Sequence, residues 1–392
     1  MRLRILIATM LALAGVVGGS IFLSAQRNGP SPITSVHVVG NHLVNQAGDT
    51  IRLLGVNRSG TEYTCLSSGI FYGPTGHASI EAMTSWDITA VRIPLNEDCW
   101  LGINGVTRSY SGERYRAAIQ RYVRLLNAAG LVAILDLHWN APGRTLATGQ
   151  RLMADQSHSP AFWTSVARTF KSTPDVVFDL YNEPYGISWE CWLDGCRLPE
   201  GWTTAGMQEL VNDVRGAGAT QPIMVGGLNH ASDLSQWLAY EPKDPLHQLV
   251  ASVHIYDPGG CDFVYCWTQV LETVAKKVPV VTGELGEFDC GQSFIDGYMA
   301  WADKEGISYL AWAWDAGWSC SNGPALITSW SGTPTAYGIG LRDHLRTLAR
   351  DGTSATEDDR VDKLARGPFQ PGPAIPEADS QIRRCGSAPR CL

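Results

Sequence analysis

The chain has 392 residues, a length that suits two or three domains or one large barrel. Its composition, 44% hydrophobic and 17% charged, is typical of a globular protein with a large core. The formal net charge is −8 and no basic cluster is present, which argues against a nucleic acid as a partner. Tryptophan is frequent, with 14 residues, and we expect some of these rings to contact a flat, partly apolar ligand such as a sugar.

Residues 1–25 form a candidate export segment. Arg2 and Arg4 precede an apolar run from Ile5 to Leu23, the pattern of a secretory signal peptide. The run is also long enough to span a bilayer, so an uncleaved membrane anchor is the alternative. Residues 26–35 read as a short polar linker. Both alternatives place the rest of the chain outside the cytoplasm, either secreted or anchored to the outer side of the cytoplasmic membrane.

Beyond the linker, the sequence predicts a short β-hairpin and then alternating strands and helices. Residues 36–50 alternate in polarity and contain two turn signals. Eight predicted strands follow, separated by helical stretches such as 112–130 and 159–174: IRLLGVN, TAVRIPL, LVAILDLHW, VVFDLYNEP, PIMVGG, LVASVHIYDP, VPVVTGELG and ISYLAWAWD. Apolar strands that alternate with helices indicate a parallel sheet covered on both faces. Eight such units predict a (β/α)8 TIM barrel over residues 36–348, with an open doubly wound sheet as the alternative.

The last segment of the chain, residues 349–392, differs in composition from the barrel. It is polar and rich in proline, with few large apolar residues. We predict a C-terminal tail with little packing of its own. A segment docked on the barrel is the alternative.

The ten cysteines favour disulfides in an oxidising compartment. Three pairs lie close in sequence: Cys191/Cys196, Cys261/Cys266 and Cys385/Cys391. A zinc site would need a second cysteine couple or a histidine pair behind a couple, and each of these couples stands alone. The other four cysteines follow neighbouring predicted strands, so their loops are expected to be joined as Cys65–Cys99 and Cys290–Cys320.

Polar and aromatic side chains gather at the C-terminal ends of the predicted strands, where the active site of such a barrel lies. In strand order they are Arg92, His138, Trp139, Asn182, Glu183, His254, Tyr256, Glu284, Trp312 and Trp314. The two-residue period of a strand puts Trp314 on the same face as Trp312, so either ring is a candidate platform for a sugar.

Two of these residues, Glu183 and Glu284, follow strands four and seven and can flank a substrate from opposite walls. Glycoside hydrolysis requires one protonated and one ionised carboxyl group across the bond to be cut. We expect Arg92 to hold Glu284 ionised by its opposite charge. Apolar, tryptophan-rich surroundings are expected to favour the acid form of Glu183.

The strand-end motifs resemble those of the retaining glycoside hydrolases of family five, the cellulase-like members of clan A, over residues 36–345. YNEP resembles the acid/base motif of that family and VVTGELG its nucleophile strand, while AVRIPL, LDLHW, VHIY and AWAW match other strand ends. The resemblance implies that Glu183 is the general acid and then the general base, and that Glu284 is the nucleophile.

The same resemblance implies roles for the surrounding residues. Asn182 would bind the sugar 2-hydroxyl, Tyr256 would hydrogen-bond Glu284, and Trp312 would form the floor of the sugar site. Three further residues would orient the carboxylates and the sugar hydroxyls: Arg92, His138 and His254. Leu285 stands where many members of the family carry an aromatic residue, so the resemblance does not identify the sugar that the enzyme recognises.

The predicted function is therefore a retaining glycoside hydrolase that cleaves a β-glucan through a covalent intermediate. The alternatives are the same chemistry on mannan or a rarer glycoside, from within or from an end, and a non-catalytic carbohydrate-binding barrel. A metal-dependent hydrolase would need histidines at spacings such as H-x-H or H-E-x-x-H, which the sequence lacks. We expect no cofactor and no metal, a polysaccharide or oligosaccharide as the partner, and a monomer.

Overall fold

The computed structural model describes residues 32–318 and 323–352. The predicted export segment, most of the linker and nearly all of the C-terminal tail lie outside these ranges and stay predictions. Within the two ranges, no helix is long and apolar enough to cross a membrane.

Eight parallel strands close into a barrel, as the sequence predicted. Each predicted strand overlaps one strand of the barrel: β4 (Leu54–Asn57), β5 (Ala90–Asn96), β6 (Val132–Trp139), β7 (Val176–Asp179), β8 (Ile223–Gly226), β9 (Leu249–Asp257), β10 (Val280–Glu287) and β11 (Ser308–Ala311). The strands pair in chain order and β11 returns to β4, which completes the ring. Their burial is almost continuous, because one face fills the barrel and the other packs under helices.

Helices cover the outside of the barrel. They are α1 (His77–Thr84), α2 (Glu97–Leu101), α3 (Glu113–Ala128), α4 (Ser159–Phe170), α5 (Trp189–Asp194), α6 (Met207–Gly216), α7 (Val264–Cys266), α8 (Glu272–Ala275), α9 (Ser293–Lys304) and α10 (Ala336–Arg350). A π-helical turn, Trp267–Leu271, joins α7 to α8. In α3 the buried residues recur every three or four positions, the pattern of a helix with one face on the core: Tyr115, Ala118, Ile119, Tyr122, Val123 and Leu126.

A small antiparallel sheet closes the N-terminal end of the barrel. The predicted hairpin is confirmed as β1 (His37–Val39) and β2 (His42–Val44), and a third strand, β3 (Thr50–Ile51), pairs with β2. Side chains from this sheet form a buried cluster with the first residues of the barrel strands, including Ala90, Val132 and Val281. Because this end is packed shut, the opposite end is the one that can hold a ligand. A second, two-stranded sheet of β12 (Ile327–Ser329) and β13 (Thr333–Pro334) precedes α10.

Three of the predicted disulfides are present. Cys65–Cys99 joins the segments that follow β4 and β5, while Cys191–Cys196 and Cys261–Cys266 close short loops after β7 and β9. The two remaining pairings involve Cys320, Cys385 and Cys391, which lie outside the described residues.

The separations in sequence predict different contributions of these bridges to stability. The cysteines are 34 residues apart in Cys65–Cys99 and 5 apart in Cys191–Cys196. The chain-entropy relation then gives losses in the free energy of unfolding of about 4 and about 2 kcal/mol when each pair is replaced by serine, because the longer loop constrains the unfolded chain more. Denaturant unfolding of the two double variants measures the difference. Equal losses would contradict this account.

Candidate active site

An open cleft of about 510 Å³ lies at the C-terminal end of the barrel. Sixteen residues line it: His138, Trp139, Gln150, Asn182, Glu183, Asn229, His230, Ser232, His254, Tyr256, Pro258, Gly259, Gly260, Glu284, Phe288 and Trp312. Eight of the ten residues selected from the sequence are among them. The other two, Arg92 and Trp314, are buried and do not line this cleft.

Arg92 lies beneath the cleft and is completely buried. Its guanidinium donates to four side chains: Nε to Asp179 (2.9 Å), Nη1 to both Glu284 (2.8 Å) and Asn57 (3.1 Å), and Nη2 to Asn182 (3.0 Å). Nη2 also lies 3.1 Å from Asp136. The sequence predicted that Arg92 orients both the carboxylates and the sugar hydroxyls. The structure places it below the carboxylates and the amide, where it fixes their positions but does not line the cleft that would hold a sugar.

Three carboxylates, those of Asp136, Asp179 and Glu284, share this one buried cation. Burial raises the pKa of Asp179 to about 7, although Arg92 opposes the shift, and the nearby Asp136 adds to it. Asp136 in turn lies 2.6 Å from Nδ1 of His138. Burial lowers the pKa of His138, but the negative charge of Asp136 outweighs burial and the pKa is raised overall. The floor of the cleft is therefore a connected network of charged groups.

Glu284 is held at both of its carboxylate oxygens. Oε1 accepts from Arg92, and Oε2 accepts from the hydroxyl of Tyr256 at 2.6 Å. The pairing of β10 with β9 shifts register between Thr282 and Glu284, a bulge of the kind found next to active sites. Gly283 occupies the bulge, where a Cβ atom would lie 3.0 Å from His254. A glycine at this position lets the two strands approach closely beside the carboxylate.

Glu183 has a different set of partners. Oε1 lies 3.0 Å from Nδ1 of His254, and Oε2 accepts from Gln150 at 3.0 Å, with Nδ1 of His230 3.6 Å away. Burial alone would raise the pKa of Glu183, but the nearby His230 and the hydrogen bonds from His254 and Gln150 lower it well below its usual range. The expectation that apolar surroundings favour its acid form is wrong for the free protein, because these polar groups surround the carboxylate.

The two carboxylates face each other across the cleft at short range. One ligand atom from each of Glu183, His254 and Glu284 lies within 4.8 Å of the others. Such a trio is close enough to hold a metal ion, but Arg92 already contributes a positive charge 2.8 Å from Glu284, which disfavours a second cation there. A pair of carboxyl groups this close leaves no room for a water molecule between them and a sugar, so the spacing is that of a nucleophile and an acid/base.

Asn182 joins the two sides of the network. Its Oδ1 accepts from Arg92, and its Nδ2 donates to Gln150 at 2.6 Å. β7 ends at Asp179, so Asn182 and Glu183 lie three and four residues beyond the strand rather than in it. The backbone N–H of Asn182 still donates to Leu137 of β6, which fixes this segment to the barrel.

The aromatic residues divide between the cleft and the core. The ring of Trp312 stacks on His138 with centroids 5.4 Å apart, and Trp139 contacts Tyr63 at the rim. Trp314 is fully buried against Trp86, with centroids 4.8 Å apart. β11 ends at Ala311, so the two-residue period of a strand does not apply to Trp314, and the prediction that it lies in the site is wrong.

The sequence did not identify Gln150 and His230, although both contact Glu183. Gln150 lies in the long loop after β6, where no strand or helix pattern marks it. His230 follows β8, a strand that offered no candidate residue. Asn229, His230 and Ala231 have φ between 54° and 57°, so the chain turns sharply there, and the N–H of His230 donates to the carbonyl of Pro184. The only available signal was a histidine near the end of a barrel strand.

Comparisons with known proteins agree with this geometry. The family model Cellulase (glycosyl hydrolase family 5) matches residues 44–317. A mannan endo-1,4-beta-mannosidase of Salipaludibacillus agaradhaerens is 22% identical, over 82% of this chain and 96% of its own length. Endoglucanase CelA of Streptomyces lividans is also 22% identical, over 82% of this chain and 65% of its own length.

A solved structure shows the same fold. The beta-glucanase SdGluc5_26A of Saccharophagus degradans, in complex with cellotetraose, is similar with a TM-score of 0.63 and 21% identity, over 81% of this chain and 94% of that one. The family model spans well over half of the chain. The protein therefore belongs to glycosyl hydrolase family 5, and is a retaining glycoside hydrolase built on a (β/α)8 barrel.

Proposed function

We propose that this enzyme hydrolyses a β-glucan, with Glu284 as the nucleophile and Glu183 as the general acid and base. The observation that carries the assignment of roles is the difference between the two carboxylates. Glu284 is fixed from below by a buried guanidinium and a tyrosine hydroxyl, whereas Glu183 contacts three groups that line the open cleft. A nucleophile must be ionised and held still, whereas an acid/base must exchange a proton.

In the first step, the Glu284 carboxylate attacks the anomeric carbon and the glycosidic C–O bond breaks. The leaving oxygen takes the proton of Glu183, and a covalent glycosyl-enzyme forms. In the second step, Glu183 is ionised and accepts a proton from water as the water oxygen attacks the anomeric carbon. The bond to Glu284 then breaks, and the carboxylate returns to its contacts with Arg92 and Tyr256.

Glu183 must gain a proton before the first step, and its surroundings in the free enzyme oppose this. Two of its partners, Gln150 and His230, line the open cleft and are not part of the barrel strands. We propose that sugar hydroxyls take over these contacts when the substrate binds. Loss of those donors raises the pKa of Glu183 and so makes it a competent acid.

The remaining cleft residues bind the sugar in this proposal. Asn182 has one N–H left beyond its bond to Gln150 and reaches the 2-hydroxyl, while Trp312 offers its ring as a floor. His138, fixed by Asp136, and the half-buried Trp139 bind along the same wall. Phe288, about half exposed and stacked on Tyr256, extends the aromatic surface on the other side.

The substrate proposal has one specific competitor, β-mannan, because the mannosidase relative aligns over nearly its whole length. Support for glucan comes from the structural likeness to a beta-glucanase that holds cellotetraose. Initial rates on soluble β-glucans, β-mannans and aryl glycosides, with product sizes recorded, distinguish the two and show whether cleavage is internal. Faster turnover of mannan than of every glucan tested would exclude the first choice.

We also propose that the enzyme acts outside the cytoplasm as a monomer, secreted or held by an N-terminal anchor. Three disulfides in the described residues suit an oxidising compartment. The segment that would direct export, residues 1–25, is the one predicted from the sequence.

The close carboxylate spacing predicts the stereochemical course. The first product released from a β-linked substrate should be the β anomer, because two inversions at the same carbon restore its configuration. Proton NMR spectra recorded in the first minutes, before mutarotation, measure it. A first-formed α anomer would rule out the double displacement.

The two glutamates should respond differently to removal. Glu284→Ala should lose nearly all activity, and added azide should fill the vacated space and yield an α-glycosyl azide. Glu183→Ala should be slowed by about 10²- to 10⁴-fold on polysaccharide and much less on an aryl glycoside whose leaving group needs no proton. With azide it should yield the β-glycosyl azide instead. If Glu284→Ala gave the β-glycosyl azide and Glu183→Ala gave the α-glycosyl azide, the two roles would have to be reversed.

The partners of Glu183 predict a shift in pH dependence. Gln150→Ala removes a donor to its carboxylate, so the pKa of Glu183 should rise and the protonated form should persist to higher pH. The alkaline limb of kcat/KM, which reports the free enzyme, should therefore move up by about one pH unit. Ser232→Ala is the matched control, since Ser232 lines the cleft but bonds only to the nearby Asn229. An alkaline limb that moves down, or moves equally in both variants, would contradict the proposed role of Gln150.

A further inference from the structure

A second cluster of titratable side chains lies beside the cleft, between α2 and the start of α4. Glu97 and Asp98 are the first residues of α2, while Asp155 and His158 precede α4. The three acids are completely buried, and the side chain of His158 is 20% exposed. Neither the proposed mechanism nor the barrel core uses this cluster.

The cluster contains three buried carboxyl groups and one basic side chain. Within residues 32–318 and 323–352, no lysine or arginine forms an ion pair with any of the three acids, and His158 is the one basic group beside them. Buried carboxylates are stable only when a proton, a basic group or a metal ion compensates them.

Among the described residues, every carboxylate oxygen of this cluster except one accepts a hydrogen bond. Asp155 accepts from two backbone N–H groups and from Asn140, and Asp98 accepts from Asn104 and the backbone of Ala147. Oε2 of Glu97 accepts from Ser159 at 2.6 Å. Its other oxygen, Oε1, is buried and has no hydrogen-bond partner in the described part of the chain, and it lies 3.8 Å from Nδ1 of His158.

We propose that Glu97, Asp98 and His158 bind a divalent transition-metal ion of the zinc type. One ligand atom from each of the three lies within 4.8 Å of the others, so small side-chain movements bring all three to the 2.0–2.2 Å distances that zinc requires. An imidazole with two carboxylates suits zinc better than calcium, which prefers oxygen ligands alone. The carbonyl of Ala141, 3.3 Å from Nδ1 of His158, is available for the fourth position.

The position of this site gives it a structural role in the enzyme. The loop that follows β6 is fixed at Ala147 by Asp98 and ends at His158, and Gln150 lies between these two points. A metal ion would therefore hold the loop that supplies a partner to Glu183. It would not touch the substrate, and the chemistry at the two catalytic carboxylates would proceed without it. This inference does not depend on which glycan the enzyme cleaves.

Calorimetric titration of the chelator-treated protein with ZnCl₂ at neutral pH tests the proposal. We expect one Zn²⁺ per chain, a higher Tm once it is bound, and slower proteolysis of the loop between Ala147 and His158. Glu97→Gln keeps the shape of the protonated acid and should weaken binding by about tenfold or more, as should His158→Ala. The Tm of each variant without metal shows whether it is folded.

The catalytic trio provides the control, because Glu183, His254 and Glu284 have a similar spacing. Glu183→Gln should keep the Zn²⁺ affinity of the wild type. Absence of binding to the wild type, loss of binding in Glu183→Gln with retention in Glu97→Gln, or a preference for Ca²⁺ over Zn²⁺ would each overturn the proposed site. Activity measurements are not required, so a failure here is separate from any failure of the proposed function.

Discussion

The buried guanidinium of Arg92 is the interaction on which the rest of the site depends. A fully buried cation is stable only if it is paired and hydrogen-bonded, and here its partners come from four different strands or their ends: Asn57, Asp136, Asp179 and Glu284, with Asn182 beyond β7. Each of these groups is therefore held in place, because the buried guanidinium requires it as a partner. The same bonds place Glu284, the proposed nucleophile, and the amide of Asn182 at the cleft. Function and folding thus share one set of contacts.

The two proposed catalytic carboxylates, Glu284 and Glu183, differ in which parts of the fold supply their partners. Glu284 bonds to groups of the barrel strands, which cannot move without disturbing the core. Glu183 bonds to His254 of β9 but also to Gln150 and His230, which belong to loops. Polar contacts lower the pKa of Glu183 in the free protein, so in the proposed mechanism its active protonation state depends on the substrate replacing those contacts. Chemistry would then be coupled to substrate binding.

The sequence was most successful in predicting the barrel strands and the side chains that lie within them. Continuous apolar runs separated by helices lead directly to the closed barrel, and the candidate residues within β6, β9 and β10 line the cleft as the pattern indicated. Trp314 was misplaced because β11 ends three residues earlier, and beyond a strand end the alternation of faces no longer holds. Six tryptophans are fully buried, so their frequency alone could not separate core residues from sugar platforms: Trp86, Trp100, Trp163, Trp192, Trp237 and Trp314.

The sequence could not predict the contacts of Gln150 and His230 with Glu183, or the lowered pKa of Glu183 that they cause. They depend on where loops fold back, and a loop position is set by tertiary contacts such as the bond from Asp98 to Ala147, which no local periodicity encodes. In the proposed mechanism, the barrel supplies the nucleophile, the acid/base and the charge network, while the loops supply the partners that the substrate would displace. Relatives only 22% identical carry names that refer to different polysaccharides, which is the pattern expected when a rigid strand-end site keeps the reaction and the loops above it select the sugar.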